Sequence, residues 1–388
     1  MINHRLAFQT PILVALCFFV MPAWAGDRTR TPEMLRGDVQ LRYDGEALFG
    51  RLVDRTTAAG ARTEVARSTR QQHRLTLGGA FSLYHGIAVT LDLLPITVHD
   101  KRVWGSANDM RLDPDAGVPT MVGGSELPTD VLGGAASQRN HVGFGDIKVG
   151  ARAVAFAQDG VPGRKAPANL AFDFAVRLPT GGNHDKVREN GTAGPGVGGP
   201  GLELGFTASR RIAGVEPYVS LAWVYNGAYK QVLVDATGAP TAPPGDPDNP
   251  TPDAEGRWTI DPAERLTVRF GAELLVMRNE EKDTEARFDV GASLSYVGPD
   301  EVSVGRLLPA PLDDTVGYLA VTGEHLVADV GLGLRVRPIR PIEIRLDLGG
   351  AWYAPHTIER IGEKVYGVET GTDTFAFQWG LAVRARIR

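Results

Sequence analysis

The chain has 388 residues, 43% hydrophobic and 22% charged, with 47 glycines, one cysteine and a formal charge of −5. Its 41 basic and 46 acidic side chains are interspersed, which excludes a nucleic-acid footprint. No stretch after the first 25 residues is long and apolar enough for a spanning helix, and no linker divides the length into soluble domains.

Residues 1–25 have the form of a secretory signal, cleaved on export. His4 and Arg5 give the basic start, residues 11–21 the apolar run and Ala23-Trp24-Ala25 the small-residue cleavage site. The lone Cys17 lies inside that run. Bulky Leu16 before it and Phe18-Phe19-Val20 after it speak against a lipoprotein site. Cleavage after Ala25 leaves no thiol, hence no disulfide and no cysteine-based metal or redox centre. Residues 26–37 are a short periplasmic lead, and 38–388 form a single unit.

From residue 38 onward, apolar residues alternate with polar ones, the period of a strand with one apolar and one polar face. The first strand covers 38–54, with Val39, Leu41 and Tyr43 on one face and a blurred pattern near Gly45; residues 56–64 make its outer loop. In the second, Leu75, Leu77, Phe81 and Leu83 face outward against Arg74, Thr76, Ala80 and Ser82. His85-Gly86 turns the chain, and Ile87, Val89, Leu91 and Leu93 oppose Ala88, Thr90 and Asp92. Residues 100–140 form a loop rich in Gly, Pro and Asp. The fourth strand, 141–157, carries Asp146, Lys148 and Arg152 on its polar face.

The pattern is clearest from 169 to 225. Leu170, Phe172, Phe174, Val176 and Leu178 alternate with residues that include Asp173 and Arg177. The chain leaves through Pro179-Thr180-Gly181-Gly182 into a Gly-rich loop. It returns with Leu202, Leu204, Phe206 and Ala208 against Glu203, Gly205, Thr207 and Ser209. After a short break, Val215, Pro217, Val219, Leu221, Trp223 and Tyr225 oppose Glu216, Tyr218 and Ser220. An excursion to about residue 261 follows, too rich in proline to be a packed strand.

The eighth strand places Arg269 and Glu273 opposite Leu266, Val268, Phe270 and Leu274; a charged turn over 278–283 leads to the ninth, with Arg287 and Asp289 opposite Phe288, Val290 and Leu294. After a loop over 298–323 the tenth strand has Asp329 and Arg335 on its polar face. Residues 337–341 turn into the eleventh, with Glu343, Arg345 and Asp347. A last loop, 354–372, precedes a strand running from Phe375 to the C-terminus. That strand suits a barrel closing its last strand on its first, although the terminal aromatic residue common there is absent.

Alternation is compatible with a soluble sandwich, but short turns at one end and long loops at the other predict a transmembrane β-barrel, apolar outside and polar inside. A loop of about 40 residues would count against a compact soluble domain and is expected on a barrel's outer face. The fold class is therefore all-β, an antiparallel up-and-down barrel of about twelve strands in the outer membrane of a Gram-negative cell. An even count puts both termini on the periplasmic side. Trp104, Trp223, Tyr225, Tyr296, Trp352, Tyr353 and Trp379 lie near strand ends, where an interfacial aromatic girdle would place them. Twelve strands spaced ~4.8 Å and tilted ~40° give a backbone radius of roughly 12 Å, so inward side chains either leave a narrow channel or fill it. Gly205, Gly271, Gly291 and Gly331 among the inward charges favour a pore or cavity; cross-strand pairing would instead stiffen the wall.

Gly143-Phe144-Gly145-Asp146-Ile147-Lys148-Val149-Gly150, Leu178-Pro179-Thr180-Gly181 and the strand pair to Tyr225 give the chain a resemblance to a known family. These residues resemble outer-membrane barrels named as transporters of the meta-cleavage phenol-degradation pathway, distant relatives of fatty-acid and aromatic-hydrocarbon channels. The resemblance covers residues 141–225 and implies transport across the outer membrane. It assigns no substrate.

No catalytic motif competes with this reading. The cluster Gly194 to Gly201 lacks the Lys-Ser/Thr and following helix of a phosphate loop. There is no Gly-x-Ser-x-Gly elbow and no His-Glu-x-x-His. His85, His99, His141, His184 and His356 are scattered, which argues against a metal site. Asp185 beside His184 and Asn140 beside His141 are the nearest approach to a hydrolytic group. We therefore expect no enzyme, cofactor or metal, but a porin-like channel for passive passage of small molecules, its solute unknown. The alternative is a non-conducting barrel acting through its long loops in envelope structure or surface contact. Either implies surrounding outer-membrane lipid, with periplasmic chaperones and the barrel-assembly machinery during biogenesis, and no nucleic-acid partner.

Overall fold

The computed structural model describes residues 36–54, 64–84, 86–106, 111–112, 119–120, 136–137, 141–158, 167–182, 195–232, 253–279, 281–303, 319–360, 363–371 and 374–387. The signal, residues 26–35 of the lead, residues 56–63 of the first outer loop, His85, His184 and Asp185 lie outside them, while Gly37 and Glu64, read as lead and loop, begin strands.

Strict alternation over the middle of the chain forces each segment to separate an apolar from a polar face, and twelve of the described strands use that separation to close a ring. They are β1 (Gly37–Asp54), β2 (Glu64–Tyr84), β3 (Ile87–Ser106), β4 (Ile147–Phe156), β5 (Asn169–Leu178) and β6 (Gly201–Ser209). β7 (Val215–Asn226), β8 (Arg265–Asn279), β9 (Thr284–Val297), β10 (His325–Ile339), β11 (Ile342–Tyr353) and β12 (Phe375–Ile387) complete them. Each pairs antiparallel with its neighbour, and β12 pairs with β1 from Gly37↔Ile387 to Phe49↔Phe375. Closure satisfies every edge, as hydrocarbon requires.

The outward rows are apolar on all twelve strands. Val39, Phe81, Leu93, Val149, Phe172, Leu204, Val219, Phe270, Leu294, Val330, Leu348 and Leu381 are each 38–57% exposed. An apolar belt of this extent is far larger than a soluble surface carries, and lipid removes its cost. Closure, belt and the turn-and-loop asymmetry together make this an outer-membrane β-barrel, with the short turns at the periplasmic end.

Trp352, Tyr225 and Tyr296 are 40–50% exposed at the long-loop end and form part of an aromatic girdle there. Trp379 lies on the same outer face, its indole laid over Gly45, where any Cβ would collide with it. Tyr353 is a correction to that girdle. At 2% exposure it points inward, because Trp352 before it takes the outward position. The side chain of Trp104 lies outside those described.

Several strand limits also differ from the sequence reading. β3 runs on to Ser106, past residue 100, with register shifts in its pairing to β2 that absorb the extra residues. The expected strand over 141–157 begins only at Ile147. Gly143, at φ 127°, breaks it, and Gly143–Phe144 pairs separately with β3. The three excursions after β7, β9 and β11 contain hairpin strands rather than loop alone. Tyr229–Val232 pairs with Arg257–Ile260, Asp300–Ser303 with Leu319–Thr322, and Thr357–Arg360 with Glu363–Thr370. Further pairings join the last two hairpins to each other and to the end of β1, raising the wall on that side beyond the belt.

Candidate functional site: the barrel interior

All the expected lining residues except Asp146 stand on the polar rows, and register decides which of them meet. Near the periplasmic end Glu216 lies directly opposite Glu273, and Arg287, Arg335 and Arg345 fall in one cross-strand row. Like charges opposed in a sheet repel unless interleaved with opposite ones. Here they are interleaved. Glu273 meets Arg335 at 2.7 Å and Arg287 at 3.3 Å, and Arg287 also reaches Glu216 at 3.6 Å and pairs with Glu285. Asp289 pairs with Arg345 at 3.3 Å, and Arg345 with Asp347 at 2.8 Å. Asn169 and Ser209 donate to Glu216. Glu343, below, lies 3.6 Å from Arg337 and Arg386 and 3.9 Å from Arg384. The side chains of Glu216, Glu273, Arg287 and Arg335 are only 1–8% exposed, so this layer fills the section it occupies.

Above it the wall changes character. Gly271, Gly291, Gly331 and Gly349 are consecutive cross-strand partners on β8, β9, β10 and β11, a row without side chains on the inner face. Tyr218 covers half of it. Its hydroxyl lies 2.5–2.6 Å from where a Cβ on Gly271 or Gly291 would sit, and donates to Asp289 at 3.1 Å. In the other half, a Cβ on Gly331 would meet nothing closer than the Leu348 carbonyl at 3.6 Å, whereas one on Gly349 would come within 3.0 Å of the Val330 carbonyl.

Around the ring from this row stand pairs that retain access. Arg42–Asp44 at 2.6 Å has side chains 20% and 31% exposed; Arg152–Asp173 at 2.8 Å has 21% and 23%. Asp347 keeps 27%. Asp92 is the register partner of Lys148, which pairs with Glu203 at 2.6 Å. Arg269 sits in register between Ser220 and Ser293, and Asp329 accepts from Ser293 at 2.8 Å and lies 3.8 Å from Arg265. The interior thus carries partly exposed charges of both signs above a packed ion-pair floor.

A third layer closes the outer end on one side. Leu48, Ala263, Val297, Val327, Ala351, Tyr353 and Ala376 form a buried apolar cluster inside the barrel. These are inward positions of β1 and β9–β12, plus Ala263 from the segment before β8.

Asp146 departs from the expected lining role. Its carboxylate accepts N–H groups from Gly181 and Val197 at 2.9 Å each, with Arg177 3.6 Å away, and Thr180 accepts from the Ile147 N–H. The two short motifs behind the family resemblance are therefore the halves of one clamp at the outer rim. Gly181 and Gly196 pack so closely on Asp146 that a Cβ at either would come within 2.9 Å of its carboxylate. Arg177 extends the clamp to Asn226 at 2.7 Å, and Asn226 donates onward to the Ala263 carbonyl. Asp146→Ala is expected to free the 179–197 excursion and speed its cleavage by added protease severalfold, leaving the barrel inserted.

Two of the histidines meet at the outer end, while His73 and His99 lie near each other elsewhere, on β2 and β3. His325 and His356 stack at 3.8 Å between centroids and 13° between planes, both buried. His356 Nδ1 faces the Ala354 carbonyl at 3.0 Å and Thr370 at 3.2 Å. Burial, then the adjacent His325, depress the pKa of His356 from 6.5 to about 3. A histidine held neutral in the closed form stabilises that form fully above its open-state value near 6.5, and the contribution is lost as pH falls toward about 3. Hydrogen exchange of residues 354–371 should accordingly rise with acidity, by about tenfold per pH unit between roughly 6 and 4 for this one proton. Exchange independent of pH after correction for intrinsic rates would contradict it. Among the described residues no group of three or more His, Cys, Asp or Glu could hold a metal.

Sequence reasoning missed Arg42 and Asp44, although they continue the even-numbered row opposite Val39 and Leu41. It also missed the glycine row, which exists only once four strands are in register.

No family model matches the chain, and no curated relative does. Among solved structures it is similar to an outer membrane channel from Pseudomonas putida F1, at 10% identity and TM-score 0.48 over 93% of this chain and 98% of that one. A Pseudomonas aeruginosa FadL homologue gives 10% and 0.34 over 93% and 92%; the outer membrane protease OmpT from Escherichia coli gives 6% and 0.35 over 92% and 100%. Likeness this distant says nothing of what the barrel does.

Proposed function

We propose that the barrel is a channel for small, chiefly uncharged solutes, entered from the long-loop side and normally narrow. The observation that carries this is the register-matched row Gly271, Gly291, Gly331 and Gly349, which sets a stretch of inner wall back by the depth of a side chain. A barrel serving only as a scaffold gains nothing from an unfilled interior, since buried space costs stability. Asp92, Lys148, Arg152, Asp173, Asp329 and Asp347 line the path in this reading, and their mixed signs give little net ion preference. Glu216, Glu273, Arg287, Asp289, Arg335, Glu343 and Arg345 hold the floor, through which passage requires local rearrangement.

Liposome swelling with refolded mature protein and a graded series of uncharged solutes tests the proposal. Entry with a sharp size cut-off is expected. The packed floor is also what a non-conducting barrel would have, and no swelling by protein shown to be folded and inserted would leave that second reading.

A further inference from the structure

One cross-strand row on the outer face gathers residues that are distant in sequence. Trp379 on β12, Gly45 on β1, His73 on β2 and His99 on β3 are successive register partners. Tyr43, on the same face of β1, stacks on His73 with ring centroids 5.9 Å apart and planes 18° apart. The rings of His73 and His99 are 5.8 Å apart between centroids, and Trp379 meets His73 edge-on at 5.8 Å. Gly45 makes the gathering possible, because the Trp379 indole lies where its side chain would be.

Parity alone would not place His99 here. On this part of β3 Leu94 and Val98 are exposed on the outer face, while Thr97 between them is buried. The residue after Val98 should therefore point inward. Instead the register slips: Arg74 pairs with Thr97 and His73 with His99, leaving Val98 as an extra residue. Val98 and His99 then both face outward, and Asp100 turns in, buried against Arg70. A β-bulge of this kind interrupts the ladder and re-aims a side chain. The side chain it re-aims here is a histidine, and it is aimed at another histidine.

We propose that His73 and His99 bind one divalent transition-metal ion, of the copper and zinc class, on the outside of the barrel. Imidazole nitrogen holds such ions at about 2.0–2.1 Å, so two rings sharing an ion have centroids roughly 5–6 Å apart. His73 and His99 have that separation; His325 and His356, stacked at 3.8 Å, are too close for it. The Tyr43 hydroxyl lies 2.7 Å from His73 Nδ1. With the proton on Nδ1 and donated to Tyr43, Nε2 presents its lone pair, the arrangement in which metal-bound histidines are ordinarily held. The pair stands at the edge of the apolar belt, with Leu75 and Leu77 toward its middle and exposed Gln71 beyond. Both rings are partly exposed, so water reaches the ion and fills its remaining positions. Among the described residues no third His, Cys, Asp or Glu joins them. Nitrogen ligation without carboxylate favours Cu²⁺, then Ni²⁺ and Zn²⁺, and leaves Mg²⁺ and Ca²⁺ in water. The site does not depend on whether the barrel conducts.

The test is a titration of refolded protein, free of any affinity tag and held in detergent micelles, with Cu²⁺ followed by electron paramagnetic resonance. One equivalent should bind with the nitrogen splitting of two imidazoles. Zn²⁺ should displace it, and Mg²⁺ and Ca²⁺ should not. His73→Gln and His99→Gln should each weaken binding by about tenfold or more and leave at most one imidazole in the spectrum. His356→Gln should change neither. No stoichiometric binding by folded wild-type protein, a spectrum with one imidazole, displacement by Mg²⁺, or undiminished binding in His73→Gln or His99→Gln would overturn the site. So would equal weakening by His356→Gln, since the ion would then belong to the other histidine pair. Because no readout needs an open pore, a failed swelling assay and an absent metal site remain separate results.

Discussion

Glu273→Ala should destabilise the barrel by about 3–5 kcal/mol, the usual consequence of removing one partner from a buried ion pair. Glu273 holds Arg335 at 2.7 Å and Arg287 at 3.3 Å, both nearly inaccessible. Its loss leaves Arg287 with Glu216 and Glu285, and Arg335 beside two other arginines in its cross-strand row. The damage is therefore uneven. The second change Arg335→Leu should restore part of the stability, because it removes a buried charge that has lost its 2.7 Å partner, whereas Arg335→Leu alone should cost less than Glu273→Ala. Urea-dependent folding into lipid vesicles measures all three. A cost near zero for Glu273→Ala would mean that water reaches this layer and the floor is open.

Tyr218→Ala should raise both the flux and the size cut-off of solutes entering proteoliposomes. The ring covers Gly271 and Gly291, and its removal extends the recessed wall from two strands to four. Loss of its bond to Asp289 also releases one acceptor at the edge of the floor. Tyr218→Phe separates the two effects, since it keeps the ring and loses only the hydroxyl. Flux close to wild type in Tyr218→Phe and well above it in Tyr218→Ala is the expected order. Equal flux in all three proteins would show that Tyr218 does not border the path.

Lipid is the reason so much of the barrel is legible in sequence. The solvent outside is apolar over the whole belt, so every outward position on β5–β11 had to be apolar and the alternation is nearly unbroken. The inward charges follow by parity. What fails is local. Gly45 interrupts β1 because Trp379 from β12 lies across it, a contact 334 positions away in the chain, and this hid Arg42 and Asp44. Tyr353 was grouped with Trp352 as an aromatic pair, though parity alone sends one out and the other in.

Register is a different limit. Gly271, Gly291, Gly331 and Gly349 are each visible as inward glycines, but only pairing shows that they are one feature. Likewise Asp146 looks like a lining carboxylate until Gly181 and Val197 arrive from another excursion to bind it. The hairpin inside the proline-rich excursion had a readable signal, the alternation of Tyr229 and Gln231 with Lys230 and of Trp258 and Ile260 with Arg257 and Thr259. It was overlooked because four residues are too short to stand out beside so much proline and glycine.

Solute flux through Gly331→Phe is the most direct test of the account. A Cβ there meets only the Leu348 carbonyl at 3.6 Å, ordinary van der Waals contact, so a side chain can start from this position toward the barrel interior. With both proteins shown to be folded and inserted, the variant should admit solutes several times more slowly than wild type and with a smaller cut-off. Flux unchanged by a phenyl ring at Gly331 would contradict a path through the barrel interior.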